Sequence, residues 1–294
     1  MGKILIAGGT GFVGRSLKKY LEENGYEVYI LSTQKKMVNQ HLFYWMPTQE
    51  IYEGNESLDF EAVINLSGAN IADRLWTAKR KIELKESRVL STQFISKLIN
   101  EGKIKTKYFI QASATGFYGD RKAALLNENT HAGEGFLSEL CIAWEQAVAV
   151  KNIPFSIMRI GVVLDKEGGA YPKLMITTPF RIAQVFDGGK AYMPWIALND
   201  LTQMITFLIQ NQSEGVFNAV SHSITYKDLY KSFFTWHRKR FLTLSIPSRL
   251  LKLILGQFVE IFSSSQRIEK SRIVDLGFKF SIDSFEKFLA LPKK

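Results

Sequence analysis

Three glycines spaced by two residues each, set between two short apolar runs, leave few folds open to this chain. Lys3 to Ala7 reads as a buried strand. It runs straight into Gly8-Gly9-Thr10-Gly11-Phe12-Val13-Gly14. Arg15 to Asn24 then has helical spacing, with Leu17, Tyr20 and Leu21 on one side and Lys18, Lys19, Glu22 and Glu23 on the other. Asn24-Gly25 ends the helix, and Tyr26 to Leu31 is a second strand.

Strand, glycine turn, helix and strand in this order form a cradle for a dinucleotide. Gly8 permits the tight turn, Gly11 lets a pyrophosphate approach, and Gly14 lets helix and sheet pack closely. The free N–H groups of the helix start then face the phosphates. Gly8, Thr10, Gly11, Phe12, Val13 and Gly14 are therefore the expected cofactor-binding residues. The end of the second strand selects the cofactor. An acidic residue there would hold a ribose 2′-hydroxyl. Leu31-Ser32-Thr33-Gln34-Lys35-Lys36 has no carboxylate. A 2′-phosphate is attracted by lysine and repelled by Asp or Glu, so NADP is expected. Ser32 and Thr33 would donate hydrogen bonds, and Lys35 or Lys36 the charge.

Phe60 to Leu66 reads as the next sheet strand and ends in Leu66-Ser67-Gly68, small enough to approach a bound nucleotide. Leu66, Ser67 and Gly68 join the cofactor set. Trp76 to Asn100 and Gly135 to Val150 are helical, and Lys107 to Gln111 and Phe155 to Arg159 are strands. The alternation predicts an α/β fold: a Rossmann-type parallel sheet with helices on both faces, plus a small, mostly helical C-terminal substrate region. Residues 1–220 would form the NADP-binding domain, with 165–200 contributing to the substrate region, and 221–294 the small C-terminal domain. In that last part the amphipathic stretch Pro247 to Lys252 is expected to cover the second domain's core rather than lie on a membrane.

Composition narrows the function classes. The chain has 294 residues, 46% of them hydrophobic, and a formal net charge of +10. Its basic residues fall into no helix-turn-helix or finger, so no nucleic acid is expected; the excess suits solubility, NADP or an anionic small-molecule substrate. No apolar run approaches 20 residues, and the start does not read as a signal peptide, so no membrane is expected. A single cysteine, Cys141, excludes an intrachain disulfide framework and accords with a reducing, cytoplasmic setting. Four scattered histidines match no metal spacing. A monomer or homodimer is expected.

The chain resembles the extended short-chain dehydrogenase/reductase superfamily, and within it an atypical epimerase-like branch of the NAD-dependent epimerase/dehydratase family with a C-terminal domain of uncharacterised function. The glycine turn, Asn65-Leu66-Ser67-Gly68, Ser87-Arg88, Ser113 to Asp120, Trp144-Glu145, Arg159 to Leu164, Gly168-Gly169-Ala170 and Pro194-Trp195-Ile196 carry the resemblance. Active members of the superfamily use a Tyr and, four residues later, a Lys. The resemblance implies that these positions fall near Leu137 and at Cys141, and the accompanying Ser or Thr on Ala114. None can do the standard work. A histidine usual in the branch after the Trp-Ile pair is also missing, since Ala197-Leu198-Asn199 stands there.

The substitutes offered by the sequence are Tyr118, as a phenol that could act as an acid, and Ser113 and Thr115, which could orient a substrate oxygen. Two functions follow. One is an NADP(H)-dependent oxidoreductase or epimerase-like protein acting on a small carbonyl, hydroxyl or nucleotide-sugar-like compound. The other is a non-catalytic NADP(H)-binding sensor or scaffold.

Overall fold

The computed structural model describes residues 2–35, 40–269 and 271–292. Lys36 lies outside them. Strands of three or more residues are Lys3–Ala7 (β1), Glu27–Ser32 (β2), Leu42–Met46 (β3), Ile51–Glu53 (β4), Ala62–Asn65 (β5), Phe109–Ala114 (β6), Phe155–Ile160 (β7), Val162–Leu164 (β8), Ile182–Phe186 (β9), Tyr192–Ala197 (β10), Gly215–Ala219 (β11), His222–Thr225 (β12) and Leu242–Ile246 (β13). Helices of six or more are Phe12–Glu23 (α1), Ala78–Asn100 (α2), Phe136–Gln146 (α3), Leu198–Asn211 (α4), Tyr226–Trp236 (α5), Ser248–Leu255 (α6) and Phe285–Ala290 (α7).

The main sheet runs β11-β7-β6-β5-β1-β2-β3-β4. Its pairs are parallel except β3 with the edge strand β4. Because both faces are covered, β1 is apolar throughout rather than alternating. Ile4 and Ile6 enter one core with Leu17 and Leu21 of α1 and Leu201, Ile205 and Leu208 of α4. Leu5 and Ala7 enter the opposite core with Phe94, Ile95 and Leu98 of α2. The two-residue period thus divides one strand between two helix layers. The chain moves outward from β1 to β4 and then returns to β5 on the other side of β1. That reversal opens a crevice beyond the carboxyl ends of β1 and β5.

A second core surrounds Trp195, which is fully buried, with Tyr226, Leu229 and Phe234 of α5 and Phe285 and Phe288 of α7. It draws on chain from Leu164 to Ala197 as well as from Ile224 onward. Two small sheets, β8-β10-β12 and β9-β13, frame it. The C-terminal segment also returns to the first core, where Ile273 and Phe278 pack.

One expectation fails. Helix α6 covers no core: it buries none of its residues, and Leu253 and Ile254 are 85% and 76% exposed. No residue of α6 joins the second core, to which α5 and α7 contribute their rings, and Leu251 and Leu255 are only half-buried.

Candidate functional site

The glycine turn has the geometry a phosphate cradle requires. Gly8 has φ +79°, in the region L side chains rarely adopt, and a Cβ there would stand 2.8 Å from the Leu66 carbonyl. A Cβ on Gly14 would stand 2.3 Å from the Gly8 oxygen, so only glycine lets α1 approach the turn. Helix α1 begins after Gly11 with no side-chain cap and no acidic residue in its first turn. Its leading N–H groups therefore suit an external anion. Phe12, in that first turn, lies against Gly168 and Gly169, where a Cβ on Gly168 would stand 2.4 Å from the ring. The segment after β8 thus folds over the helix start, with Val13 packed partly into the core below.

A cleft of about 360 Å³ extends from this turn along the end of β2, lined by Gly8, Thr10, Ser32, Thr33, Ser67 and Gly68 among others. Ser32 is buried, and its Oγ accepts from the Gln34 N–H at 3.1 Å. Lys35 does not line the cleft; its ammonium pairs with Glu53 at 2.7 Å on the surface. Glu86 of α2 lines the cleft instead from across it.

The opposite wall is fixed by a buried polar chain. Asn65, at the end of β5, donates to Gln111 Oε1 at 3.0 Å and to Thr92 Oγ1 at 3.1 Å, and Trp144 Nε1 donates to the same Thr92 oxygen at 3.2 Å. Asn65 Oδ1 also accepts from the Ser67 N–H, and Ser87 Oγ accepts from the Ala69 N–H. Sheet, α2 and α3 are locked together, and the Leu66-Ser67-Gly68 loop is held open beside the glycine turn.

Beyond the turn lies a second pocket of about 310 Å³. Thr115, Leu137, Cys141, Trp144, Gly161 and Pro194 contribute walls, and Arg88 and Glu260 are its charged lining residues. Leu137 and Cys141, the positions implied for the standard Tyr and Lys, do face this space. Burial pushes the Cys141 thiol up to about 12, so it stays protonated at neutral pH. Burial also raises the Glu260 carboxyl above its usual range, an effect opposed by the N–H groups of Leu137 and Phe136 and by Lys81 and Lys252.

Thr115 thus lines the pocket, whereas Ser113 and Tyr118 belong to a buried network behind it. Ser113 Oγ donates to Glu145 Oε1 at 2.7 Å. Arg159 grips the same carboxylate with Nε and Nη2, both at 2.9 Å. Tyr118 is fully buried; its hydroxyl donates to Asn218 Oδ1 at 2.8 Å and accepts from Arg159 Nη1 at 3.1 Å. Burial raises its pKa despite Arg159. Arg80 is likewise committed, to the Asn70 carbonyl, Asp73 and Glu83. Sequence reasoning assigned no role to Arg88 or Glu260. Ser87-Arg88 was visible as a motif; nothing local marked Glu260, which reaches the pocket from the far end of the chain.

Among the described residues, no group of His, Cys, Asp and Glu could hold a metal ion, and no helix is long and apolar enough to cross a membrane.

The family model for the NAD dependent epimerase/dehydratase family matches residues 4–143. An epimerase family protein of Mycobacterium leprae is 30% identical over 94% of this chain and 91% of its own. The crystal structure of human epimerase family protein SDR39U1 (isoform 2) with NADPH superposes with a TM-score of 0.85 at 25% identity, covering 97% of each chain. A nucleoside-diphosphate sugar epimerase from Corynebacterium glutamicum gives a TM-score of 0.77 at 26% identity, over 98% of this chain and 57% of that one. The glycine turn, the crevice at the strand reversal and likeness along nearly the whole chain lead to one conclusion: the chain belongs to the NAD dependent epimerase/dehydratase family.

Proposed function

We propose that this chain binds NADP(H) across the crevice and acts as an oxidoreductase or epimerase-like enzyme on a small carbonyl or hydroxyl compound. The observation that carries the reading is the uncapped start of α1 beside a glycine turn that leaves no room for a Cβ at Gly8 or Gly14. Gly8, Thr10, Gly11, Phe12, Val13 and Gly14 would hold the diphosphate, and Leu66, Ser67 and Gly68 the adjoining ribose. Ser32 and Thr33 would meet the 2′-phosphate, at a strand end without a carboxylate. Lys35 would add long-range charge only, since Glu53 holds it. The human relative solved with NADPH supports the choice of cofactor. A bound nicotinamide supplies or accepts a hydride. Thr115, on the pocket wall, would orient the substrate oxygen, while Ser113 and Tyr118 would act through Arg159 and Glu145 as positioning residues.

Calorimetry of the purified protein with NADPH and with NADH tests this. NADPH is expected to bind at least about tenfold more tightly, and Thr33→Asp to weaken it by at least as much, because a carboxylate repels the 2′-phosphate. Equal affinities, or no binding of either, would sink the assignment.

A non-catalytic sensor or scaffold is the second reading. It is favoured by Leu137 and Cys141, which give the pocket wall no titrating group at neutral pH where the family's acid would stand. NADPH bound without oxidation across panels of aldehydes, ketones and keto acids would select it.

A further inference from the structure

Among the described residues, no carboxylate forms an ion pair with Arg88. It projects from α2 into the pocket beyond the glycine turn, and its guanidinium lies over the Trp144 ring at 5.0 Å and against the Gly68 backbone, where a Cβ would stand 3.1 Å from Cζ. Among the described residues it makes one hydrogen bond, from Nη1 to the Leu84 carbonyl at 3.0 Å. In this it differs from Arg80 and Arg159 around the site, which both hold carboxylates. A guanidinium offers five N–H donors, so most of its capacity is open to a ligand. Burial is deep enough to bring this arginine down to about 10. The residue as a whole is half-buried, at the open pocket rather than sealed in the core.

The surroundings of that charge define the ligand. Cys141, which approaches the guanidinium, is a neutral thiol at physiological pH. Glu260, the pocket's other charged lining residue, forms no ion pair with Arg88 and is occupied at the start of α3. Leu137, Trp144 and Pro194 give apolar walls, and Thr115, Tyr192, Ser264 and Gln266 add polar groups to the lining. A planar fork at the edge of a mostly apolar cavity suits a carboxylate on a small organic body. A cavity of about 310 Å³ accommodates a monocyclic acid beside Arg88.

We propose that this pocket takes a small organic acid, with Arg88 receiving its carboxylate. The proposal rests on the reading of the pocket as the substrate site, but its test does not need the cofactor. ¹⁹F NMR of the apo protein would compare 4-fluorobenzoate with the neutral 4-fluorobenzyl alcohol. The acid is expected to bind more tightly than the alcohol, and Arg88→Gln to weaken the acid at least tenfold while leaving the alcohol unchanged. Arg88→Lys should restore part of the loss. Cys141→Asp, which gives Arg88 an internal carboxylate, should abolish acid binding while the protein stays folded. Acid binding that is absent from the wild type, or equal in wild type and Arg88→Gln, would overturn the proposal. So would loss of NADPH affinity in Arg88→Gln with acid binding intact, which would make Arg88 a cofactor contact. Absence of NADPH binding alone would remove the cofactor reading and leave the acid result to stand or fall by itself.

Discussion

Glu145 receives hydrogen bonds from Ser113 and, twice, from Arg159, and the pair is almost wholly buried, with side chains 11% and 6% exposed. The arrangement explains why the sequence offers Ser113 and Tyr118 as site groups although neither hydroxyl faces the pocket. Ser113 lies near the end of β6 and Tyr118 follows it, but Glu145 holds the Ser113 hydroxyl and Arg159 with Asn218 the Tyr118 hydroxyl in the buried network. Removing one partner of such a pair leaves a buried charge uncompensated. Glu145→Gln is therefore expected to cost about 3–5 kcal/mol of stability, read as a lowered urea midpoint with an unchanged slope. A loss below about 1 kcal/mol, in the range of an exposed pair, would show that the network is not doing this structural work.

At the scale of elements, most boundaries follow from local rules. Thr77 caps α2 by accepting from the Arg80 N–H at 3.2 Å, and Asn24 closes α1. The expected helix from Trp76 begins two residues later for that reason, since Thr77 is the cap. Helix α6 is the contrary case. Its apolar spacing is clear, yet spacing specifies a stripe and not a partner for it. Leu253 is exposed in this chain, so Leu253→Lys should change stability by no more than about 0.5 kcal/mol by thermal or chemical denaturation. A loss above about 2 kcal/mol, the cost of truncating a core leucine, would mean that the helix does cover apolar surface.

For the whole molecule, two cores share one chain, and their segments interleave. The second core takes β10 and its Trp195 from before α4 and α5 and α7 from after it, while Ile273 and Phe278 return to the first. Trp195 packs edge-on against Phe285 and Phe288, with centroids 6.1 and 5.9 Å away, and its buried Nε1 has no hydrogen-bond partner among the described residues. Trp195→Ala is expected to cost about 3–5 kcal/mol through the cavity it leaves. Trp195→Phe should cost much less, because it removes an unsatisfied donor along with the lost ring volume. Equal losses in denaturant unfolding would contradict this account.

The sequence by itself determined the parts whose cause is local. Gly8 and Gly14 are required by a backbone conformation and a close approach, so they are legible without coordinates. The apolar run of β1 and the stripe of α1 are legible because burial on two faces and on one leaves different periods. The empty strand end at Ser32-Thr33 follows from residue types alone. Tertiary structure decided what depends on distant partners. Lys35 was equally fit for a phosphate or for Glu53, and only the pairing of β3 with β4 brings Glu53 within reach. Tyr118 was fit for a cleft or a core, and Arg159 with Asn218 drew it inward. Arg88 and Glu260 met at one pocket because α2 and the late C-terminal segment converge on α3. Local sequence fixes the conformation of a residue, whereas the partner of a charge is set by chain far away along the sequence.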